Sequence, residues 1–195
     1  MNENLLATVR FYFAQSVFLT TCHYKAHNRL EKIQDRNRLI VMIISGTTLI
    51  LIILRMIGLE IDLQEILEIL SYCGLLLTGS SLLFTMFNKE DKSELKNQHK
   101  NIAEEYKDLR DKYMGLIEEI MSASGNDADL RGKRDKFQKA YSFIGKYAPS
   151  TTYEDYTEAQ KSLGLNGQND EEFTWSDNEI DRFLPKNLRL EKKSA

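Results

Sequence analysis

The stretch "CHYKAH", residues 22–27, is the one place where the sequence groups histidine with cysteine: Cys22, His23 and His27. The two histidines are four residues apart, so a helix would put them on one face. Two imidazoles and a thiol could contribute to a metal site. A closed structural zinc needs four ligands, and counting three here is already generous. A solvated or interfacial histidine pair is the plainer reading. The remaining histidine, His99, falls within a heptad pattern and reads as a polar core position rather than a catalytic base. "GLLLTGSS" has the glycines of a phosphate loop without its lysine, and it sits inside an apolar run. Among 29 acidic residues no pair stands out in an apolar setting. The sequence therefore argues for no catalytic residue, no metal site and no cofactor, and the chain is not expected to be an enzyme.

The unusual chemistry lies instead in two uncharged runs. Ser71, Gly74, Thr78, Ser81 and Thr85 recur at spacings of three, four, three and four, which places them on one helical stripe. In the earlier run Ser45, Thr48, Ile52 and Arg55 are spaced three, four and three, and Glu68 continues the second stripe by one turn. Hydroxyls and charges in a membrane span face protein or water rather than lipid. Small residues that let helices approach, with hydroxyls bonding across the contact, explain the stripe as packing. A water-filled lumen lined by it is the sharper reading, and that requires several copies, because two spans cannot enclose a pore. Arg55 and Glu68 would sit together at one mouth.

The elements that must position these residues follow from the hydropathy pattern. "LIVMIISGTTLILIIL" runs from Leu39 to Leu54 without a charge. Its sixteen residues reach roughly 24 Å as a helix, and extension to Leu59 brings them to the thickness of a hydrocarbon core. Ile69 to Phe87 supplies nineteen more residues and needs no extension. Spans at 39–59 and 69–87 with an outer loop at 60–68 make a transmembrane hairpin. Lys25, Arg29, Lys32, Arg36 and Arg38 precede it, and Lys89, Lys92, Lys96, Lys100 and Lys107 follow, whereas the connection holds only Arg55. Basic residues stay on the cytoplasmic side, so both termini are expected there.

Charge divides the same way. Residues 1–38 carry six basic and three acidic side chains, 39–87 one and four, and 88–195 nineteen and twenty-two, which sums to the net −3 of the chain. No block is basic enough for nucleic-acid binding as a primary activity. Cys22 and Cys73 lie in differently textured segments and are expected to be reduced thiols. No signal peptide is visible at the N-terminus.

Residues 1–38 read as an amphipathic helix with Leu6, Val9, Phe13 and Val17 on one side and Arg10 elsewhere. It could lie at the lipid interface or pack on downstream helices. Downstream, Leu95, Ile102, Leu109 and Leu116 are seven apart, and His99, Tyr106, Tyr113 and Ile120 follow each by four. That is a coiled-coil-like seam within residues 92–122, free to pack against a neighbouring subunit or against "RDKFQKAYSFIGKYA". A switch between those two partners would couple cytoplasmic signals to the spans. A further short helix follows Pro149. The capping pattern of Ser176 and Glu179 starts a terminal one that stops at Pro185.

This order of parts, with "AYSFIGKYAPSTTYEDY" after the long helix and "EIDRFLP" near the end, resembles the SLATT family. Those are two-transmembrane effector domains associated with SMODS nucleotidyltransferases and SLOG domains. The resemblance implies a bacterial inner-membrane effector of anti-phage defence. Its partner enzyme would make a nucleotide second messenger on infection, and copies of the chain would assemble into a pore. The expected fold is an all-α membrane protein: an interfacial helix at 1–38, the hairpin at 39–87 and a cytoplasmic helical region at 88–195. Its partners would be the lipid bilayer, further copies of itself, and the signal or the protein that makes or senses it. The competing reading is a non-catalytic adaptor whose hairpin is only an anchor.

Overall fold

The computed structural model describes residues 3–56, 64–165 and 175–190, with the helical backbone alone at 55–56, 64, 84–85 and 87–91. Every regular element among them is helical. Helix α1 spans Glu3–Met56 and α2 spans Gln64–Met121. Neither contains a proline, so nothing in either backbone forces an end. The amphipathic segment and the first apolar run are one helix. The second apolar run and the heptad seam are likewise one helix.

The shorter elements are set by their caps. The Asn126 side chain accepts from the Ala128 amide and opens α3, Asp127–Tyr147, which ends as Pro149 approaches. Thr152 and Asp155 form a reciprocal capping box on α4, Tyr153–Leu163. That helix closes at Gly164, whose φ of 64° is left-handed and costs glycine nothing. The box foreseen at Ser176 and Glu179 opens α5, Asp177–Asp181, and a 3-10 turn follows at Lys186–Leu188.

The chain forms two compact units. The first comprises Met1–His27 and Asn97–Ala195, and the second comprises Asn28–Lys96. In the first unit the apolar stripe of α1 (Leu6, Val9, Phe13, Val17) is buried with the seam of α2 (Ile102, Tyr106, Leu109, Tyr113, Leu116, Ile120). Leu130 and Ile144 of α3 and Ile180, Leu184 and Leu188 of the terminal segment complete this core. The apolar stripe in the N-terminal half of α1 thus packs on the downstream helices, and the seam is filled from within the chain. Leu95 stands apart from the rest of the seam at 37% exposed.

The second unit is apolar on the outside. Met42, Ile43, Leu49 and Ile50 of α1 and Leu75, Leu76, Leu77 and Leu83 of α2 are all exposed. A water-soluble surface does not carry such a contiguous apolar area. These two helical segments are long and apolar enough to cross a membrane, and little of either is buried within the protein.

Candidate functional site

Two polar constellations are built on α1 and α2, one in each unit. The first lies between the apolar segments. Thr48 Oγ1 and Thr78 Oγ1 are 3.0 Å apart. Thr48 also donates back to the Ile44 carbonyl at 2.9 Å, and Ser71 donates to the Leu67 carbonyl at 2.7 Å. Back-bonding of this kind satisfies a hydroxyl that has no water to reach. Thr48 and Ser71 are buried, although most of their neighbours in the sequence are exposed. Gly74 faces the same place: a Cβ there would lie 3.0 Å from Thr48 Oγ1. The stripe therefore contributes Ser71, Gly74 and Thr78 to one helix contact, with Thr48 opposite. Ser45 and Ser81 are half-buried, while Thr47 and Ser80, absent from the predicted stripe, are exposed. The side chains of Arg55 and Thr85 lie outside the described residues, as do residues 60–63 of the expected outer loop, whereas 64–68 of that loop are the first residues of α2. Glu68 accepts from the Tyr72 hydroxyl at 3.3 Å.

The second constellation is in the other unit. His23 Nδ1 and His99 Nδ1 are 2.9 Å apart, and Tyr106 stacks on the His23 ring at a centroid distance of 5.9 Å. Both histidines are buried. The solvated pair expected of His23 and His27 is thus replaced: His23 pairs across helices with His99, because its face of α1 meets the seam of α2. Burial first, and the neighbouring His99 second, push the His23 imidazole down to about 4, with Asp155 opposing. The His23 ring is accordingly neutral at physiological pH, and across the contact one Nδ1 donates and the other accepts. Cys22, beside it in sequence, packs with Phe18, Ala159 and Leu165. Burial, reinforced by the charge of Asp155, pushes its thiol up to about 12, which keeps it protonated at physiological pH. Cys22 and Cys73 are both free. Among the described residues no three His, Cys, Asp or Glu side chains could hold a metal ion.

An aromatic cluster extends the histidine pair. Tyr12 stacks on Tyr113 at 5.9 Å and meets Tyr141 edge-on at 5.2 Å, and Tyr141 meets Tyr106 at 5.7 Å. Tyr141 is the first residue of the tyrosine-rich stretch noted in the sequence, and burial raises its hydroxyl as it does those of Tyr106 and Tyr113. Tyr156, at the far end of that stretch, meets Phe18 at 5.0 Å. These tyrosines join α3 and α4 to α1 and α2. A family model for the SMODS and SLOG-associating 2TM effector domain family 4 matches residues 5–179, from the first turn of α1 to α5.

The chain belongs to that family. No curated protein and no solved structure matches it significantly. As a SLATT protein it is a two-transmembrane effector domain of defence-associated systems, and its two apolar helices agree with a membrane location.

The sequence reading missed Arg10. Placed there away from the apolar side, it is 1% exposed in the structure and clasps the terminal helix. Its Nη2 donates to Asp181 Oδ1 at 2.8 Å and to Asp177 Oδ1 at 3.3 Å. The available signal was a lone arginine in the aromatic run "VRFYF", with two acids four apart on a short distant helix. Only the fold brings the two together.

Proposed function

We propose that this SLATT chain is a pore-forming or membrane-disrupting effector of the bacterial inner membrane. Its two apolar segments form a hairpin with both termini in the cytoplasm, and several hairpins assemble when a nucleotide signal or its sensor acts on the helical unit. The observation that carries this reading is the aliphatic exterior of the second unit. Thr48, Ser71 and Gly74 are turned inward while leucine and isoleucine cover most of the outside, which is the arrangement lipid selects.

The stripe acts in two ways in this reading. Thr48, Ser71, Gly74 and Thr78 hold the two spans of one chain together. Water in the assembled state is met by the hydroxyls left on the outside, Thr47 and Ser80, with Ser45 and Ser81 at the edge. Arg55 and Glu68 belong to the outer mouth. The helical unit keeps α1 and α2 clamped through the seam and the His23–His99 pair, so a change in that clamp reaches both spans through continuous helices.

Potassium efflux and membrane potential in bacteria expressing the chain test this, with and without the nucleotidyltransferase of its system. A variant carrying Thr47→Leu and Ser80→Leu, at equal membrane abundance, serves as comparison. Leakage that the variant loses supports a lumen at those positions. An intact barrier with the activating enzyme present removes the pore and leaves an anchor for a soluble partner.

A further inference from the structure

A groove of about 470 Å³ opens between α2 and α3 on the surface of the helical unit. Leu109 and Ile144, both buried, form its floor. Phe143 forms one wall while remaining 64% exposed. Tyr147, one turn further along α3, is 63% exposed and lies against Phe143 at a centroid distance of 4.8 Å, the rings tilted by 55°. Two large aromatic rings side by side in water are a costly surface to leave open, and aromatic side chains at the centre of a patch are typical anchors of association.

The charges around the groove say what covers it. Glu105, Asp108 and Lys112 stand on the α2 side and Lys139 on the α3 side. Asp108 is tied to Lys112 of its own helix at 2.6 Å. Among the described residues neither Glu105 nor Lys139 has an ion-pair partner. An anionic partner such as a lipid headgroup or a nucleic acid would be attracted by Lys139 and repelled by Glu105, with Asp108 and Lys112 offsetting each other. A cationic helix would meet the reverse. A surface with an unpaired acid on one rim, an unpaired lysine on the other and an aromatic anchor between them is complemented by its own image turned through a two-fold axis.

We propose that this groove is the interface through which the helical units of two copies of the chain associate. Phe143 of each copy enters the groove of the other, and Glu105 of each faces Lys139 of the second copy. The proposal rests on the reading that the effector works as an oligomer, and it names the surface that makes the first contact. Tethering both copies in one membrane raises their effective concentration, so a modest interface suffices. The seam itself stays filled within each chain, and assembly requires no unpacking of the core.

The test uses full-length chains carrying two different tags, co-expressed, solubilised in mild detergent and purified on one tag. Wild-type copies are expected to co-purify. Glu105→Lys with itself and Lys139→Glu with itself should each lose co-purification roughly five-fold, because like charges then face each other twice. Glu105→Lys with Lys139→Glu should regain the wild-type level, since that mixed pair restores both contacts. Phe143→Ser should lose association roughly ten-fold. All three positions are exposed, and unchanged melting of each variant shows that the fold is intact. Wild-type copies that associate regardless of these substitutions, or a mixed pair that recovers nothing, overturn the interface and leave the oligomer standing. Wild-type copies that never co-purify overturn both.

Discussion

His23 and His99 meet through Nδ1 atoms 2.9 Å apart, with neither ring more than 3% exposed. Such a contact needs one protonated and one bare Nδ1, so one ring donates and the other accepts. They lie near where α1 leaves the helical unit at His27 and where α2 enters it at Asn97. A second proton would put a positive charge into a buried space already occupied by a donor.

The pair therefore makes stability depend on pH in a defined window. His23 has an ordinary value of 6.5 when unfolded and about 4 when folded. The folded state binds fewer protons between those values, so its stability is complete above pH 6.5 and declines as the pH falls towards 4. The loss is on the order of 3 kcal/mol across that range. Thermal melts of the full-length chain in detergent from pH 7.5 to 4.5 measure it. The double variant His23→Leu, His99→Leu should be flatter between pH 6.5 and 5. Parallel curves would assign the dependence to other groups.

Arg10 and Asp181 form a coupled pair. The arginine is 1% exposed and Asp181 16%, whereas Asp177, its other contact, is 71% exposed. Removing Asp181 leaves a buried cation without its main partner, at a cost of about 3 kcal/mol. Asp177→Ala should cost less than about 1 kcal/mol. Among the described residues Nε and Nη1 of Arg10 have no hydrogen-bond partner, and only Nη2 is engaged. Arg10→Met combined with Asp181→Leu should recover most of what either single change loses. Chemical denaturation of the four variants decides it, and additive losses would refute the coupling.

The contact between the apolar helices can be read from two glycines. A methyl group at position 74 would meet Thr48 Oγ1 at 3.0 Å, whereas one at position 79 would meet nothing within 4 Å. Gly74→Ala should lower the melting temperature in detergent, and Gly79→Ala should leave it unchanged or raise it through better helix propensity. Thr78→Val, which deletes the hydroxyl that meets Thr48, should cost only about 0.6 kcal/mol. Equal effects of the two alanines would mean that Gly74 is not at a close contact.

Gly164 is held by more than its own backbone. Arg182 donates from Nη2 to the Leu163 carbonyl at 2.6 Å and from Nη1 to the Gly164 carbonyl at 3.2 Å. A Cβ at 164 would lie 2.7 Å from that guanidinium. Gly164→Ala combines a left-handed φ with displacement of the arginine and should cost about 1–2 kcal/mol. Arg182→Ala should lose less, about 1 kcal/mol, because only the carbonyl contacts go. Limited proteolysis of the segment between α4 and α5 would report release of this clasp in either variant.

Much of the molecule was legible along the chain because helical periodicity and capping are local. The lengths of the two apolar runs, the stripe through Thr78, the heptads from Ile102 to Ile120 and the box at Ser176 depend on residues within one or two turns of one another. So do the absence of proline from α1 and α2 and the stop at Pro149. What a face packs against is another matter. The seam could have served a neighbouring subunit, but α1 and α3 of the same chain fill it. His23 could have been solvated, but its face of α1 meets His99 76 residues further on. Arg10 could have pointed to water, but the terminal helix brings Asp181 to it. Each of these outcomes is a choice of partner made through space, where burial and charge act between segments that the sequence keeps far apart. Periodicity specifies that a face must be covered, and only the tertiary structure decides by what.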